Sequence, residues 1–135
     1  MSATEPLAGP VVLVVDDELL VQDLIKTGLE DGGFVVVTAS TDDEAIIALE
    51  ADGGNHFVAI VTDVNLRRPR TGWDIARRAR ELYPIIPVVY VTGDSEHDWT
   101  ANGVPRSIMI PKPFAPAQLV VAVSTLINST ADDPS

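Results

Sequence analysis

Five short apolar runs alternate with five segments of mostly helical period, and that alternation constrains the fold more than any other feature. Val11 to Val15, Phe34 to Ala39, Phe57 to Asp63, Ile85 to Val91 and Ile108 to Ile110 are rich in β-branched residues and nearly unbroken by polar ones. Such runs read as strands buried on both faces. Between them, Leu20, Val21, Leu24, Ile25 and Leu29 recur at helical spacing, interspersed with Gln22, Asp23 and Lys26, until Gly32-Gly33 stops the helix. Thr41 and Glu44 fit a capping box ahead of Ala45, Ile46 and Leu49. Asp52-Gly53-Gly54-Asn55 is turn chemistry. Ile75, Ala76, Ala79, Leu82 and Tyr83 form a third helix face, ended by Pro84. Residues 95–103 leave room for one short helix, cut off by Asn102-Gly103 and Pro105. Pro116 suits a first helical position, and Leu119, Val120, Val123, Leu126 and Ile127 form the last face.

Buried strands joined through helices require a parallel sheet covered on both faces. The expected fold is therefore a doubly wound five-stranded α/β domain of flavodoxin-like order 2-1-3-4-5. A chain of 135 residues suits one such domain, placed at 11–128, with an N-terminal extension at 1–10 and a frayed polar tail at 129–135. In that order the strand direction of travel reverses between the first and third strands. Ligands of open α/β sheets bind there, beyond the carboxyl ends of the strands.

The polar residues that end the strands meet at that edge. Asp16 and Asp17 follow the first strand, Asp63 ends the third, Thr92 the fourth, and Lys112 lies just past the fifth. A helix cap explains any one of these carboxylates but not their convergence with a threonine and a lysine. Three clustered carboxylates repel one another and raise one another's pKa, which a divalent cation relieves. An all-oxygen site with room for water suits Mg²⁺, and Mg²⁺ suits phosphoryl chemistry. Asp63 is then the candidate nucleophile, with Lys112 neutralising phosphoryl charge and the Thr92 hydroxyl donating to a phosphoryl oxygen. Gly93 leaves space for such a group.

The order Val-Val-Asp-Asp-Glu, Asp63, Val-Thr-Gly and Lys-Pro-Phe resembles the receiver domain of two-component response regulators, from about Val11 to about Ile127. The resemblance implies that Asp63 is the phosphoacceptor and that Asp17 ligates Mg²⁺ directly. It implies that Asp16 acts on the metal through water and that the Asn65 carbonyl is a further ligand. Lys112 and Thr92 match the conserved-type lysine and switch hydroxyl, and the Lys112-Pro113 bond matches one held cis. Asn65 and Asp94 would flank the path of the hydrolytic water. The phosphoryl donor would be a sensor histidine kinase or a histidine phosphotransfer protein, and the chain would catalyse its own phosphorylation and dephosphorylation. Three positions depart from the pattern: Arg67 lies where a proline is usual, the fourth helix is short, and Met109 replaces an aromatic residue. Output is therefore expected through residues 94–105 and not through a ring flip. Nothing after the last helix is long enough for an effector domain, so a stand-alone regulator or phosphate sink is expected. The alternatives are the receiver module of a hybrid kinase, an interaction module that never carries phosphate, or a flavin- or nucleotide-dependent enzyme of the same fold. No glycine-rich phosphate loop follows the first strand, which counts against the last.

A net charge of −11 disfavours nucleic acid and anionic membrane as partners. The chain has no cysteine, which removes disulfides and thiolate chemistry. Met1 to Pro10 lack the pattern of a signal peptide, so a cytoplasmic protein is expected. His56 and His97 have no metal-ligand spacing, and Trp73 and Trp99 read as packing or surface residues. Six of the nine basic residues, Arg67, Arg68, Arg70, Arg77, Arg78 and Arg80, lie in one short stretch. We read Arg77, Arg78 and Arg80 as the wet face of the third helix rather than as a docking patch.

Overall fold

A computed structural model describes residues 9–51, 57–67, 69–93 and 99–132. The elements follow one another as β1 (Val11–Val15), α1 (Leu19–Asp31), β2 (Val35–Ala39), α2 (Asp42–Glu50), β3 (Phe57–Asp63), α3 (Gly72–Leu82), β4 (Val88–Thr92), α4 (Trp99–Asn102), β5 (Ser107–Pro111) and α5 (Pro116–Asp132). All strands pair in parallel in the order β2-β1-β3-β4-β5, as the alternation requires. The turn Asp52 to Asn55, His56, Arg68, Asp94 and His97 lie outside the described residues.

The strands alternate their side chains between two cores. Leu13, Val15, Ile60, Val88 and Tyr90 pack with Ala45, Leu49, Ile75 and Ala79 from α2 and α3. Val12, Val14, Val61, Val89 and Val91 pack with Ile25, Leu29, Leu119 and Val123 from α1 and α5. Both faces are covered, which explains why β1 and β4 are apolar at nearly every position.

Two local readings change. The fourth strand begins at Val88, not Ile85. The Ile86 N–H is donated back to the Tyr83 carbonyl in a turn, Ile85 is exposed, and Pro87 brings no N–H to the ladder. The apolar stripe of α1 is also only partly its buried face. Leu20 is 88% exposed and Leu19 and Leu24 are exposed, while Gln22, Ile25 and Leu29 are buried. Positions 22, 25 and 29 share one face, and the Gln22 amide is accommodated because its Nε2 donates to the carbonyls of Asp16 and Ala39 and to Ser40 Oγ, each at 3.1 Å.

The remaining boundaries follow local chemistry. Gly32 caps α1, and Gly33 takes φ 96°. Thr41 Oγ1 accepts from the Glu44 N–H at 3.1 Å, whereas Glu44 reaches past Thr41 to the Ser40 N–H at 2.7 Å. A complete capping box opens α3: Thr71 Oγ1 accepts from Asp74 N, and Asp74 Oδ2 accepts from Thr71 N. Trp73 is buried against Tyr90, with ring centroids 4.5 Å apart. The last helix starts at Pro116 and continues past residue 128 to Asp132. Among the described residues, no helix is long and apolar enough to cross a membrane.

Candidate functional site

Register places the site. Val15 of β1 pairs with Thr62 of β3, so Asp16 leaves the sheet beside Asp63. Asp63 itself pairs with Val91, one residue before Thr92. Thr92 pairs with Pro111, and its carbonyl accepts the Lys112 N–H at 2.7 Å. Four strands, β1, β3, β4 and β5, deliver Asp16, Asp63, Thr92 and Lys112 to one sheet edge at the switch point. The Lys112-Pro113 peptide bond is cis.

Asp16 and Asp63 are buried, at 0% and 4% exposure, while Asp17 is half-buried above them. One oxygen from each of Asp16, Asp17, Glu18 and Asp63 lies within 4.8 Å of the others. Lys112 Nζ faces three of these carboxylates, at 3.4 Å from Glu18 Oε1, 3.5 Å from Asp16 Oδ2 and 3.7 Å from Asp63 Oδ2. The other oxygens are held by backbone: Asp16 Oδ1 accepts the Glu18 N–H at 2.9 Å, and Asp63 Oδ1 accepts the Asn65 N–H at 3.3 Å. Asp17, Glu18, Asp63, Asn65, Arg67, Gly93 and Lys112 line a cleft of about 480 Å³. Among the described residues, a Cβ at Gly93 would meet nothing within 4 Å.

Burial is the largest influence on the acids. It raises the pKa of Asp63 to about 6, with the Asp16 charge adding to it and Lys112 opposing it. Burial also raises the Asp16 carboxyl, against the Glu18 N–H and Lys112. Burial pulls the Lys112 ammonium down, but Asp63, Asp16 and Glu18 together outweigh it and raise its pKa. Repulsion between carboxylates is real here but secondary to desolvation.

Asp16 Oδ2 is fully buried and accepts no hydrogen bond among the described residues. A buried carboxylate oxygen that has only the long Lys112 ion pair at 3.5 Å, amid three other carboxylates, is the donor set of a hard cation. The residues present therefore fit Mg²⁺.

Several contributors escaped sequence reasoning. Glu18 joins the carboxylate group and accepts from Lys112, though its place beside Asp16-Asp17 was a signal. Gln22 supports the β1–α1 turn through the Asp16 carbonyl. A Cβ on Gly72 would lie 2.2 Å from the Asp63 carbonyl oxygen, and the Gly72 N–H donates to Val64 O at 2.9 Å. Only glycine lets α3 start this close to the backbone that carries Asp63. Met109 is half-buried opposite Tyr90, which itself fills the core with Trp73. Asp94 cannot be located relative to the cleft, because it lies outside the described residues.

Arg70, Arg77, Arg78 and Arg80 are engaged within the chain. Arg70 pairs with Asp42 and Asp43, Arg77 with Asp74, and Arg78 with Glu50 and Glu81. Arg77 and Arg80 also donate to backbone carbonyls of Asn102, Ile86 and Arg106. These contacts support the structural reading and add a tie between α3 and the α4–β5 loop.

The sheet order and the acidic cleft at its switch point define a doubly wound α/β protein with a charged site at the strand ends. Residues 12–124 match the response regulator receiver domain, and the chain belongs to that family. It is 30% identical over 118 residues to the response regulator SaeR of Staphylococcus epidermidis, covering 86% of this chain and 49% of SaeR. The chain thus spans about half the length of the curated relatives it matches. A response regulator receiver protein from Sinorhizobium medicae is 40% identical, with a TM-score of 0.84 over 91% of this chain and 98% of its own. The receiver domain of a Pseudomonas aeruginosa sensor histidine kinase shares the fold at 23% identity, with a TM-score of 0.75 over 90% of this chain and 99% of its own. That domain has a magnesium ion coordinated in its active site cleft.

Proposed function

We propose that this domain accepts a phosphoryl group on Asp63 from a phosphohistidine and signals through the change this makes in partner binding. The observation that carries the reading is the setting of Asp63. Its carboxylate is buried at the end of the central strand, faces Lys112 Nζ at 3.7 Å, and opens onto a cleft lined by further carboxylates.

Asp17, Asp63 and the Asn65 carbonyl would hold Mg²⁺, with Asp16 acting through water. The ion would supply positive charge to the phosphoryl oxygens as charge moves between them. The rest is done by the chain. The Asn65 N–H holds Oδ1 of Asp63, which leaves the carboxylate oriented toward the cleft. An Asp63 oxygen attacks phosphorus as the phosphorus–nitrogen bond of the donor breaks. The bonding pair returns to the imidazole nitrogen, which then takes a proton. Lys112 stays charged throughout because the carboxylates raise its pKa, and its ammonium follows the transferred group. Thr92, buried at the next strand end, contributes its hydroxyl to a phosphoryl oxygen. Water later attacks the same phosphorus, the phosphorus–Asp63 bond breaks, and phosphate leaves with the proton that water gives up.

The donor is a sensor histidine kinase or a histidine phosphotransfer protein. Output goes through partner binding at residues 94–105 or through use of the domain as a phosphate sink. Labelling with acetyl phosphate tests the acceptor directly. Wild type takes up phosphate in Mg²⁺ and Asp63→Ala does not; full labelling of Asp63→Ala overturns the assignment.

A further inference from the structure

Arg67 lines the cleft and has no part in the reading above. It takes φ 55°, in the left-handed region that glycine adopts freely and arginine does not. The surrounding loop must hold it there, and strain of this kind gathers at functional positions. The conformation sets its side chain at the lip of the cleft that Asp63 and Lys112 line. There Nε lies 3.9 Å from Asp17 Oδ2, in a pair whose arginine side chain is 82% exposed. Such an exposed and stretched pair contributes little to stability, so stabilisation does not account for the strained backbone.

Asp17 is also the carboxylate offered to the cation. A guanidinium and Mg²⁺ compete for it, since each weakens the other's attraction to the same charge. Once the cation takes Asp17, the guanidinium loses its counter-ion. An oxygen of Asp63 lies within 4.8 Å of one from Asp17, so a phosphoryl group on Asp63 brings new anionic oxygens beside the displaced arginine. A guanidinium suits those oxygens because its planar donors can engage two at once. Lys112 approaches Asp63 at 3.7 Å as another cation of the cleft.

We propose that Arg67 is a second basic contact for the phosphoryl group, held on Asp17 until the cation displaces it. The proposal rests on Asp63 being the acceptor. It makes Arg67 a brake on metal binding in the resting domain and a clamp on the phosphorylated one.

Two titrations separate these roles and also separate this proposal from the acceptor assignment. Calorimetry of the unphosphorylated protein at low salt should show Arg67→Gln binding Mg²⁺ about three- to five-fold more tightly than wild type, the effect of one unit charge removed near a divalent ion in water-like dielectric. Arg67→Lys should stay near wild type, which a merely structural loss would not produce. At saturating Mg²⁺, beryllofluoride, an anionic mimic of the phosphoryl group, should bind Arg67→Gln about five-fold or more weakly, with Arg67→Lys between the two. Unchanged Mg²⁺ affinity, or tighter Mg²⁺ binding without loss of beryllofluoride affinity, overturns the proposal. If wild type binds Mg²⁺ but neither beryllofluoride nor label, the acceptor assignment has failed and the clamp falls with it. The magnesium titration would then still report on the Arg67–Asp17 pair.

Discussion

Replacing Asp63 with asparagine should stabilise the metal-free protein at neutral pH while removing the proposed acceptor. Burial and the Asp16 charge raise the Asp63 pKa from 3.8 to about 6. A shift of about two units corresponds to ~3 kcal/mol of folding free energy withheld above both pKa values. Because the native pKa is the raised one, the native state binds the extra proton between the two values. Wild-type stability therefore falls as pH rises from 3.8 through about 6, and it stays low above that. Asparagine is uncharged and keeps an oxygen for the Asn65 N–H, but Lys112 loses one of its three carboxylate neighbours. The net gain should then be about 1–2 kcal/mol at pH 7.5 in chelator, or roughly 4–8 °C in Tm for a domain of this size. At pH 4.5 about one third of the effect should remain, since most native Asp63 is then protonated in wild type. Adding Mg²⁺ should raise wild-type stability and close the gap, because the cation binds the native carboxylates. Urea unfolding in chelator at both pH values, repeated with Mg²⁺, reads all of this. An Asp63→Asn protein no more stable than wild type at pH 7.5, or one with the same advantage at pH 4.5, refutes the electrostatic reasoning.

Three other substitutions probe the scaffold. Gly72→Ala should destabilise by about 2 kcal/mol or more despite alanine's better helix propensity, because its Cβ meets the Asp63 carbonyl; urea unfolding measures the loss, and labelling should slow as Asp63 shifts. Tyr90→Phe removes the hydroxyl that accepts the buried Val104 N–H at 3.0 Å, which should cost about 1–3 kcal/mol and speed amide exchange at Val104. Gln22→Leu leaves the Asp16 and Ala39 carbonyls without their amide partner; it should cost about 1–3 kcal/mol by urea unfolding and weaken Mg²⁺ binding by calorimetry as the Asp16 turn loosens.

Local chemistry determined a large part of this molecule. Apolar runs of strand length, helical spacing between them, and stops such as Gly32-Gly33 and Pro84 were sufficient for the order of elements, and continuous apolarity was sufficient for a parallel sheet. Once the strand order is 2-1-3-4-5, residues at the strand ends must converge, so Asp16, Asp63, Thr92 and Lys112 could be placed at one edge from spacing alone. Periodicity, however, carries a period and not a phase. On α1 two faces offer apolar residues, and only packing against α5 and β2 decides that Ile25 and Leu29 go in and Leu20 stays out. Gln22 is buried because carbonyls of β1 and β2 wait for its amide, and those carbonyls are adjacent only after the strands pair. Gly72 looks like loop punctuation until α3 is seen to begin against the Asp63 backbone. Arg67 looks like one member of a basic stretch until its left-handed φ turns it toward Asp17, a residue fifty positions earlier in the chain. Each of these is a contact between different elements of the fold. Such contacts depend on how elements approach one another, which neither composition nor local spacing contains.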